Sequence, residues 1–315
     1  MNTQNTPVSQ EAGDSLCAAA DTRILRRMTR LDDWPVIARP SEPTMLVAVL
    51  DVETEGLDPD DCQVLEIAVA LVRVDADGRL VAIVDKGYGL QDPGRPLGAA
   101  ITKITGLTDE KLAGKAIDIA RVTQVIARAE AILAHHALFD SAFCRSLLPG
   151  IAHLPWVCSC KDVDWTAYGY DGAKLGHLLM QQGMFAPKAH SAGDDVTALI
   201  NLVASALPNG RTVMGEALDN ARTQTVRVEA KNVPPKRKGE VKRRGYRFDW
   251  TTKAWWIETS EFQADYERSW LERHFPRVRV TCVPLDWHIR HVRQIDCENG
   301  PRSGAGRTLR ISQND

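Results

Sequence analysis

The stretch from Leu46 to Gly56 reads Leu-Val-Ala-Val-Leu-Asp-Val-Glu-Thr-Glu-Gly, five apolar residues followed by two acids one residue apart. The apolar run predicts a buried β-strand, and the Glu-Gly-Leu-Asp-Pro sequence predicts the turn that ends it. Strand side chains alternate between two faces, so Asp51 and Glu53 project from the same face. Adjacent carboxylates at the end of a buried strand repel each other unless a cation shares them, which makes the pair a candidate metal site. A solvated acidic turn is the alternative.

Length and composition are those of an ordinary globular protein with one large or two smaller domains. The 315 residues are 44% hydrophobic and 25% charged, with a net charge of −2, and no apolar run is long enough to span a membrane. The N-terminal residues lack the basic and then apolar pattern of an export signal. Seven thinly spread cysteines favour reduced thiols and a cytoplasmic location.

The predicted elements divide the chain into five segments. They are an N-terminal tail with a short helix (1–42), an α/β domain (43–207), a linker helix (208–222), a small basic and aromatic α+β module (223–298) and a flexible tail rich in Gly, Ser and Arg (299–315). The short helix is predicted over Asp21–Leu31 from apolar residues at helical spacing. In the α/β domain three strands precede alternating helices and strands, which predicts a mixed sheet flanked by helices.

Two further acidic motifs lie where predicted helices begin. Residues 135–140 read His-His-Ala-Leu-Phe-Asp and join a strand to a helix, and residues 190–195 read His-Ser-Ala-Gly-Asp-Asp ahead of another helix. An Asp at a helix start is most often an N-cap. Leu199 and Leu202 follow Asp195 at helical spacing, so the Asp195 carboxylate shares a core-facing stripe and needs a partner there.

Together the three motifs, over roughly residues 45–207, resemble those of the DnaQ-like 3′–5′ exonucleases of the DEDDh branch, a family that includes proofreading subunits. The resemblance implies a ribonuclease-H-like α/β fold with a mixed five-stranded sheet flanked by helices, here followed by a second small α+β domain. It implies Asp51, Glu53, Asp140 and Asp195 as ligands of two Mg²⁺ or Mn²⁺ ions, whose preferred ligands are hard oxygens. It also implies His190 as the general base that takes a proton from the attacking water.

Residues beside the motifs also match the family pattern, and this resemblance implies that they contact nucleic acid. These residues are Thr54, Glu55, Gly56, Leu57, His136 and Phe139. Glu55 replaces a second Thr of the family pattern, and His136 stands where Asn is common. Residues 101–108 resemble the family's Ile-His-Gly-Ile-Thr segment but lack its His. These departures bear on substrate preference rather than on the metal ligands.

The predicted module joins a basic run to a cluster of aromatic residues. Cations can follow the phosphates of a single strand, and flat rings can stack on its bases. On this basis we predict nucleic-acid contacts from Lys242, Arg243, Arg244, Tyr246 and Arg247. The alternative is a module whose aromatic residues form its core and whose basic run is a solvated loop. A similar small module accompanies some bacterial DnaQ-like exonucleases.

The sequence therefore predicts a cytoplasmic, metal-dependent 3′–5′ exonuclease that removes nucleoside 5′-monophosphates from single-stranded DNA. Its expected partners are DNA 3′ ends and a DNA polymerase or repair complex, and no membrane. One alternative is an exoribonuclease of the ribonuclease T and oligoribonuclease type, since no residue identified above reads a 2′ hydroxyl. The other is a non-catalytic nucleic-acid-binding adaptor. The complete set of four acids and His190 argues against an adaptor, because a binder has no need of mutually repelling carboxylates.

Overall fold

A computed structural model describes residues 23–188 and 190–292 of the chain. The described residues form a five-stranded sheet, a four-stranded sheet and a two-stranded pair, with helices packed around them. The predicted flexible tail, the end of the predicted module and most of the predicted N-terminal tail lie outside these residues. No helix in the described ranges is long and apolar enough to cross a membrane.

The first part of the chain contains seven strands and six α-helices within its described residues. In chain order these are β1 (Arg26–Arg27), β2 (Met45–Thr54), β3 (Val64–Val74), β4 (Leu80–Leu90), α1 (Ala99–Thr105), α2 (Asp109–Leu112), α3 (Ile119–Ile126), β5 (Ala131–Ala134), α4 (Ala137–Leu147), β6 (Trp156–Cys158), α5 (Leu175–Gln181), β7 (Met184–Phe185) and α6 (Ala192–Ala204). The second part follows with α7 (Val213–Arg222), β8 (Thr225–Lys231), α8 (Lys238–Arg243), β9 (Arg247–Asp249), β10 (Ala254–Thr259), α9 (Glu261–His274) and β11 (Arg279–Leu285).

The large sheet has the strand order β4-β3-β2-β5-β6, antiparallel from β4 to β2 and parallel from β2 to β6. This confirms the predicted mixed five-stranded sheet. Alternation along β2 sends Val47 and Val49 into the core shared with α6, and Ala48 and Leu50 into the core shared with α3 and α4. The same alternation carries Asp51 and Glu53 to the α6 face of the sheet.

Three elements of the large domain differ from expectation. β2 continues through its two acids to Thr54, because Glu53 still pairs with Glu66 on β3. The apolar run Leu80–Val84 predicts the third strand, and in the structure this strand, β4, continues six residues further, to Leu90. The helix predicted over Asp21–Leu31 is wrong for residues 23–31: β1 pairs in parallel with β7, and the Met28 N–H donates to the Phe185 carbonyl at 3.1 Å. A short apolar segment cannot sustain an isolated helix, so tertiary pairing decides its structure.

The small domain is an antiparallel sheet of order β11-β8-β10-β9 with α9 packed on one face. Its core contains Val228, Ala230, Leu271 and Phe275. Alternation over residues 246–250 and 254–258, with a turn between them, predicts a hairpin, which is present as β9 and β10. The basic run forms a short helix, α8, rather than a loop, because the fully buried Val241 anchors it to this core.

The chain returns to the large domain after β11. The Trp156 N–H at the edge strand β6 donates to the Trp287 carbonyl at 2.9 Å, and the Ser141 hydroxyl donates to the His291 carbonyl at 2.5 Å. The His291 ring lies 2.9 Å from the Asp162 carboxylate. Residues 286–292 therefore fasten the small domain to the sheet edge beside α4.

Candidate active site

Three acids meet at the end of β2. Asp51 and Glu53 lie on β2, and Asp195 lies in the first turn of α6. One carboxylate oxygen from each of the three lies within 4.8 Å of the others. Packing of α6 against the sheet brings Asp195 to the strand end, as its place on the core-facing stripe predicts.

Asp140 approaches the same strand end from α4. Its side chain is buried, and its carboxylate accepts a hydrogen bond from the backbone N–H of Val52. Its charge raises the pKa of Asp51, which places Asp140 next to the three-acid group, although its oxygens lie outside the 4.8 Å set. All four sequence-predicted acids therefore converge at the end of β2.

The four carboxyl groups are destabilised in their charged form. Burial, followed by repulsion from Asp140, Asp195 and Glu53, raises the pKa of Asp51 well above its ordinary value. Burial also raises the pKa of Glu53 and of Asp140 to about 7, and that of Asp195 to about 6. Within the described ranges no lysine or arginine forms an ion pair with these acids. Hard oxygen ligands in excess of cations are a donor set that fits divalent metal ions.

His190 lies beside this group, one residue before the N-cap of α6. Its side chain is exposed, and its backbone adopts a left-handed φ of 66°, which is unusual for a residue with a side chain. Burial raises the pKa of Asp195, and the neighbouring His190 ring and a hydrogen bond from the His190 backbone N–H offset part of that rise. Such strained residues cluster at functional sites.

The cap of α6 is Ser191 rather than Asp194. The Ser191 hydroxyl accepts from the Asp194 N–H at 3.2 Å and donates to the Asp194 carboxylate at 2.9 Å. This reciprocal arrangement turns the Asp194 side chain toward the helix start, so Asp194 is not a member of the three-acid group.

Sequence reasoning missed a fifth carboxylate, Glu66 on β3. Glu66 is only 1% exposed and lies directly opposite Glu53 in the sheet. One of its oxygens accepts from the Tyr88 hydroxyl at 2.7 Å and the other from the Ala192 N–H at 3.2 Å. It thereby connects β3 and β4 to the first residue of α6, and the signal in the sequence was a single acid inside the apolar run Val64–Val72.

The residues that follow β2 form a loop beside the acids. The Thr54 hydroxyl donates to the Gly56 carbonyl at 2.5 Å, and Glu55 pairs with Arg95 at 2.6 Å. Leu57 is 60% exposed. Glu55 is thus held by protein partners, whereas the Leu57 side chain is accessible.

The two predicted contacts at the start of α4 differ in exposure. His136 is exposed, and Phe139 is half-buried against Phe143, with ring centroids 4.9 Å apart. Neighbouring His135 is buried between the Ser159 hydroxyl and the Ala173 carbonyl, each 2.8 Å from a ring nitrogen. Both His135 nitrogens are engaged, so a second metal site with His136 and Cys160 does not fit.

Two of the predicted contacts in the small domain are structural. Tyr246 is 2% exposed, and its hydroxyl donates to Glu267, so its ring is not available for stacking on a base. Arg244 pairs with Glu267 at 2.7 Å and stacks on Trp270. Tyr246 lies directly ahead of β9 and packs in the core that α9 shares with the small sheet. Lys242, Arg243 and Arg247 are exposed and far in sequence from the acids.

Residues 48–203 match the exonuclease family model RNase_T. The PolC-type DNA polymerase III of Thermotoga petrophila is 34% identical over 110 residues, which are 34% of this chain and 8% of the polymerase. That of Bacillus subtilis is 34% identical over 97 residues, which are 30% of this chain and 6% of the polymerase. This chain thus spans less than a tenth of either relative.

Among solved structures, exonuclease I aligns over 58% of this chain and 48% of its own, with 18% identity and a TM-score of 0.47. A zinc-bound complex of Escherichia coli exonuclease I with single-stranded DNA aligns over the same shares, with a TM-score of 0.46 and 18% identity. The family match extends from β2 to α6 and includes all three acidic motifs. Residues 48–203 therefore form an exonuclease domain of the DnaQ-like family of 3′–5′ exonucleases, whose members depend on divalent metal ions.

Proposed function

We propose that this chain removes nucleotides from the 3′ end of single-stranded DNA by a two-metal mechanism. The observation that carries the proposal is the convergence of four acids, of which Asp140 is buried and the other three are half-buried, and none of which forms an ion pair with a lysine or arginine among the described residues. Asp51, Glu53, Asp140 and Asp195 would hold two Mg²⁺ or Mn²⁺ ions. When bound, such ions polarise the scissile phosphate, lower the pKa of the attacking water and stabilise the leaving oxygen.

His190 is the proposed general base. Its exposed ring stands at the rim of the acid group, where it can accept a proton from an incoming water and pass it to solvent. The hydrogen bond of its backbone to Asp195 ties its position to that of a metal ligand. Ser191 and Glu66 fix the start of α6 and therefore the position of both residues.

The substrate end is proposed to bind at the loop after β2 and the start of α4. Leu57, His136 and Phe139 stand next to the acids in the chain and are wholly or partly accessible. The exposed cations Lys242, Arg243 and Arg247 would contact more distant phosphates. A cytoplasmic location and association with a DNA polymerase or repair complex are further proposals, the latter suggested by the PolC-type relatives.

The test is hydrolysis of 3′- and 5′-labelled oligonucleotides, as DNA and RNA and as single and double strands, with Mg²⁺, Mn²⁺ or chelator. We expect 5′-labelled single-stranded DNA to shorten in single-nucleotide steps, with activity lost in chelator and in Asp51→Ala. Preferred cleavage of RNA would support an exoribonuclease. Full activity of folded Asp51→Ala would refute the assigned site, and binding without hydrolysis by the wild type would identify an adaptor.

A further inference from the structure

A strap of four arginines lies beside the active-site helix. Residues 23–30 read Arg-Ile-Leu-Arg-Arg-Met-Thr-Arg, and β1 in this strap pairs with β7, directly ahead of the His190 loop. Asn201 of α6 donates to the Thr29 carbonyl at 2.9 Å and accepts from the Thr29 N–H at 2.8 Å. Buried Met28 completes the attachment. The strap is therefore held on the same helix that carries Asp195.

A groove of about 410 Å³ separates the strap from the first turns of α6. Four cationic and two acidic side chains line it, namely Arg27, Arg30, Lys86, Lys188, Asp32 and Asp194. Asp194 and Thr197 form its wall on α6, so the groove borders the residue next to Asp195. Lys188 stands two residues ahead of His190. The groove is thus adjacent to the proposed catalytic centre.

Part of the positive charge in this groove is not neutralised by the protein. Lys86 pairs with Asp32, and Arg30 lies 3.8 to 3.9 Å from Asp33 and Asp32. The side chains of Arg27 and Lys188 form no ion pair or hydrogen bond with any residue in the described ranges. Exposed cations without acidic partners, held on a fixed backbone, are suited to phosphate contacts.

We propose that this groove binds the phosphodiester backbone of the substrate strand, upstream of the nucleotide at the four acids. This inference rests on the proposed exonuclease function. None of the groove's lining residues is aromatic, so the groove offers phosphate contacts without a surface on which a base could stack. A continuous strand matches this chemistry better than a free mononucleotide, whose base would need such a surface.

The double variant Arg27→Ala/Lys188→Ala tests the proposal in the full chain. We expect KM for a single-stranded 12-mer to rise about ten-fold with kcat unchanged, since two exposed charge contacts are lost. Hydrolysis of a dinucleotide, too short to reach the groove, should be unchanged. The slope of log affinity against log salt for the 12-mer, measured by fluorescence anisotropy in chelator, should become shallower by about 1.4.

Arg73→Ala is the matched control, because Arg73 is exposed on β3 beside the start of β2, at the end of the sheet opposite the acids. It should change neither KM nor the salt slope. An unchanged slope in the double variant, or an equal loss on the dinucleotide, would overturn the groove assignment. A third outcome would also overturn the proposal. It combines an unchanged salt slope in the double variant with competition against the 12-mer by inorganic phosphate or a mononucleotide that is seen in the wild type only. The groove would then bind a small anion. Absence of hydrolysis by the wild type would instead refute the proposed function, while anisotropy would still test the groove.

Discussion

Replacing Asp51 by Asn should stabilise the metal-free protein at neutral and alkaline pH. Asp51 is buried, and its charge is opposed by Asp140, Asp195, Glu53 and Glu66. Less buried Glu53 has its pKa raised from 4.5 to about 7, and this rise corresponds to about 3 kcal/mol of unfavourable ionisation in the folded state. The charge on Asp51 is opposed by the same two effects, so removing it should stabilise the metal-free protein, and the Glu53 value sets the scale of the expected gain at about 3 kcal/mol.

The gain in stability should depend on pH, and the coupling between proton binding and folding determines the direction. Because the folded-state pKa of these carboxyl groups lies above the unfolded value, the folded protein holds more protons than the unfolded chain between about pH 4 and pH 7. Metal-free stability of the wild type therefore falls as the pH rises through this window. Asp51→Asn should be close to the wild type at pH 4 and more stable at pH 8.

Thermal unfolding in chelator, followed by circular dichroism, measures this effect. A gain of about 3 kcal/mol corresponds to a rise in Tm of about 6 to 12 °C for a domain of this size. Magnesium should raise the Tm of the wild type but not that of Asp51→Asn, because binding to the folded state alone is stabilising. Asp194→Asn, a neighbouring acid outside the group, should show neither effect. A lower Tm for Asp51→Asn at pH 8, or an equal gain at both pH values, would refute the electrostatic account.

Three further predictions concern the same site. His190→Ala should lower kcat by about 10²- to 10⁴-fold, as loss of a general base does, yet keep the rise in Tm with magnesium; loss of that rise would make His190 a ligand or a structural residue. Since the pKa of Glu53 and of Asp140 is about 7, calorimetry in buffers of different ionisation enthalpy should show more protons released per bound magnesium at pH 6 than at pH 8, and equal release would contradict these pKa values. Tyr88→Phe removes a hydrogen bond to Glu66 and should cost about 1 kcal/mol, visible in Tm; an unchanged Tm would show that the Ala192 contact alone holds Glu66.

The large domain could be predicted because its signals are local. A buried apolar strand ending in acids defines β2, and helix starts that carry Asp140 and Asp195 show where the other carboxylates enter. Glu66 could not be identified in this way. A single acid in an apolar strand does not indicate a functional site until the strand pairing shows that it lies opposite Glu53. Register between strands is a tertiary property that one strand does not encode.

The errors arose where contacts between distant segments decide the structure. β1 forms because β7, more than 150 residues later, offers a strand edge with which it can pair. The helical spacing of apolar residues in the strap therefore does not determine its structure. Tyr246 was expected at the surface because it follows a basic run, but buried Glu267 on α9 accepts its hydroxyl. Because the buried Glu267 carboxylate pairs with both Tyr246 and Arg244, these two predicted contacts have structural roles instead.

Helix α6 connects the hydrogen bonds of Glu66 with the acid group and with the arginine strap. Its first N–H is bound by Glu66, its cap is Ser191, and Asn201 two turns later holds the arginine strap. Because a helix moves as one body, a shift of its start would displace Asp195 and the groove together. Repulsion among the acids pushes this helix away from β2, and the Glu66 hydrogen bonds oppose that displacement. These hydrogen bonds therefore keep the four acids of the metal-free protein close together at the cost of stability, in the arrangement that the proposed binding of cations requires.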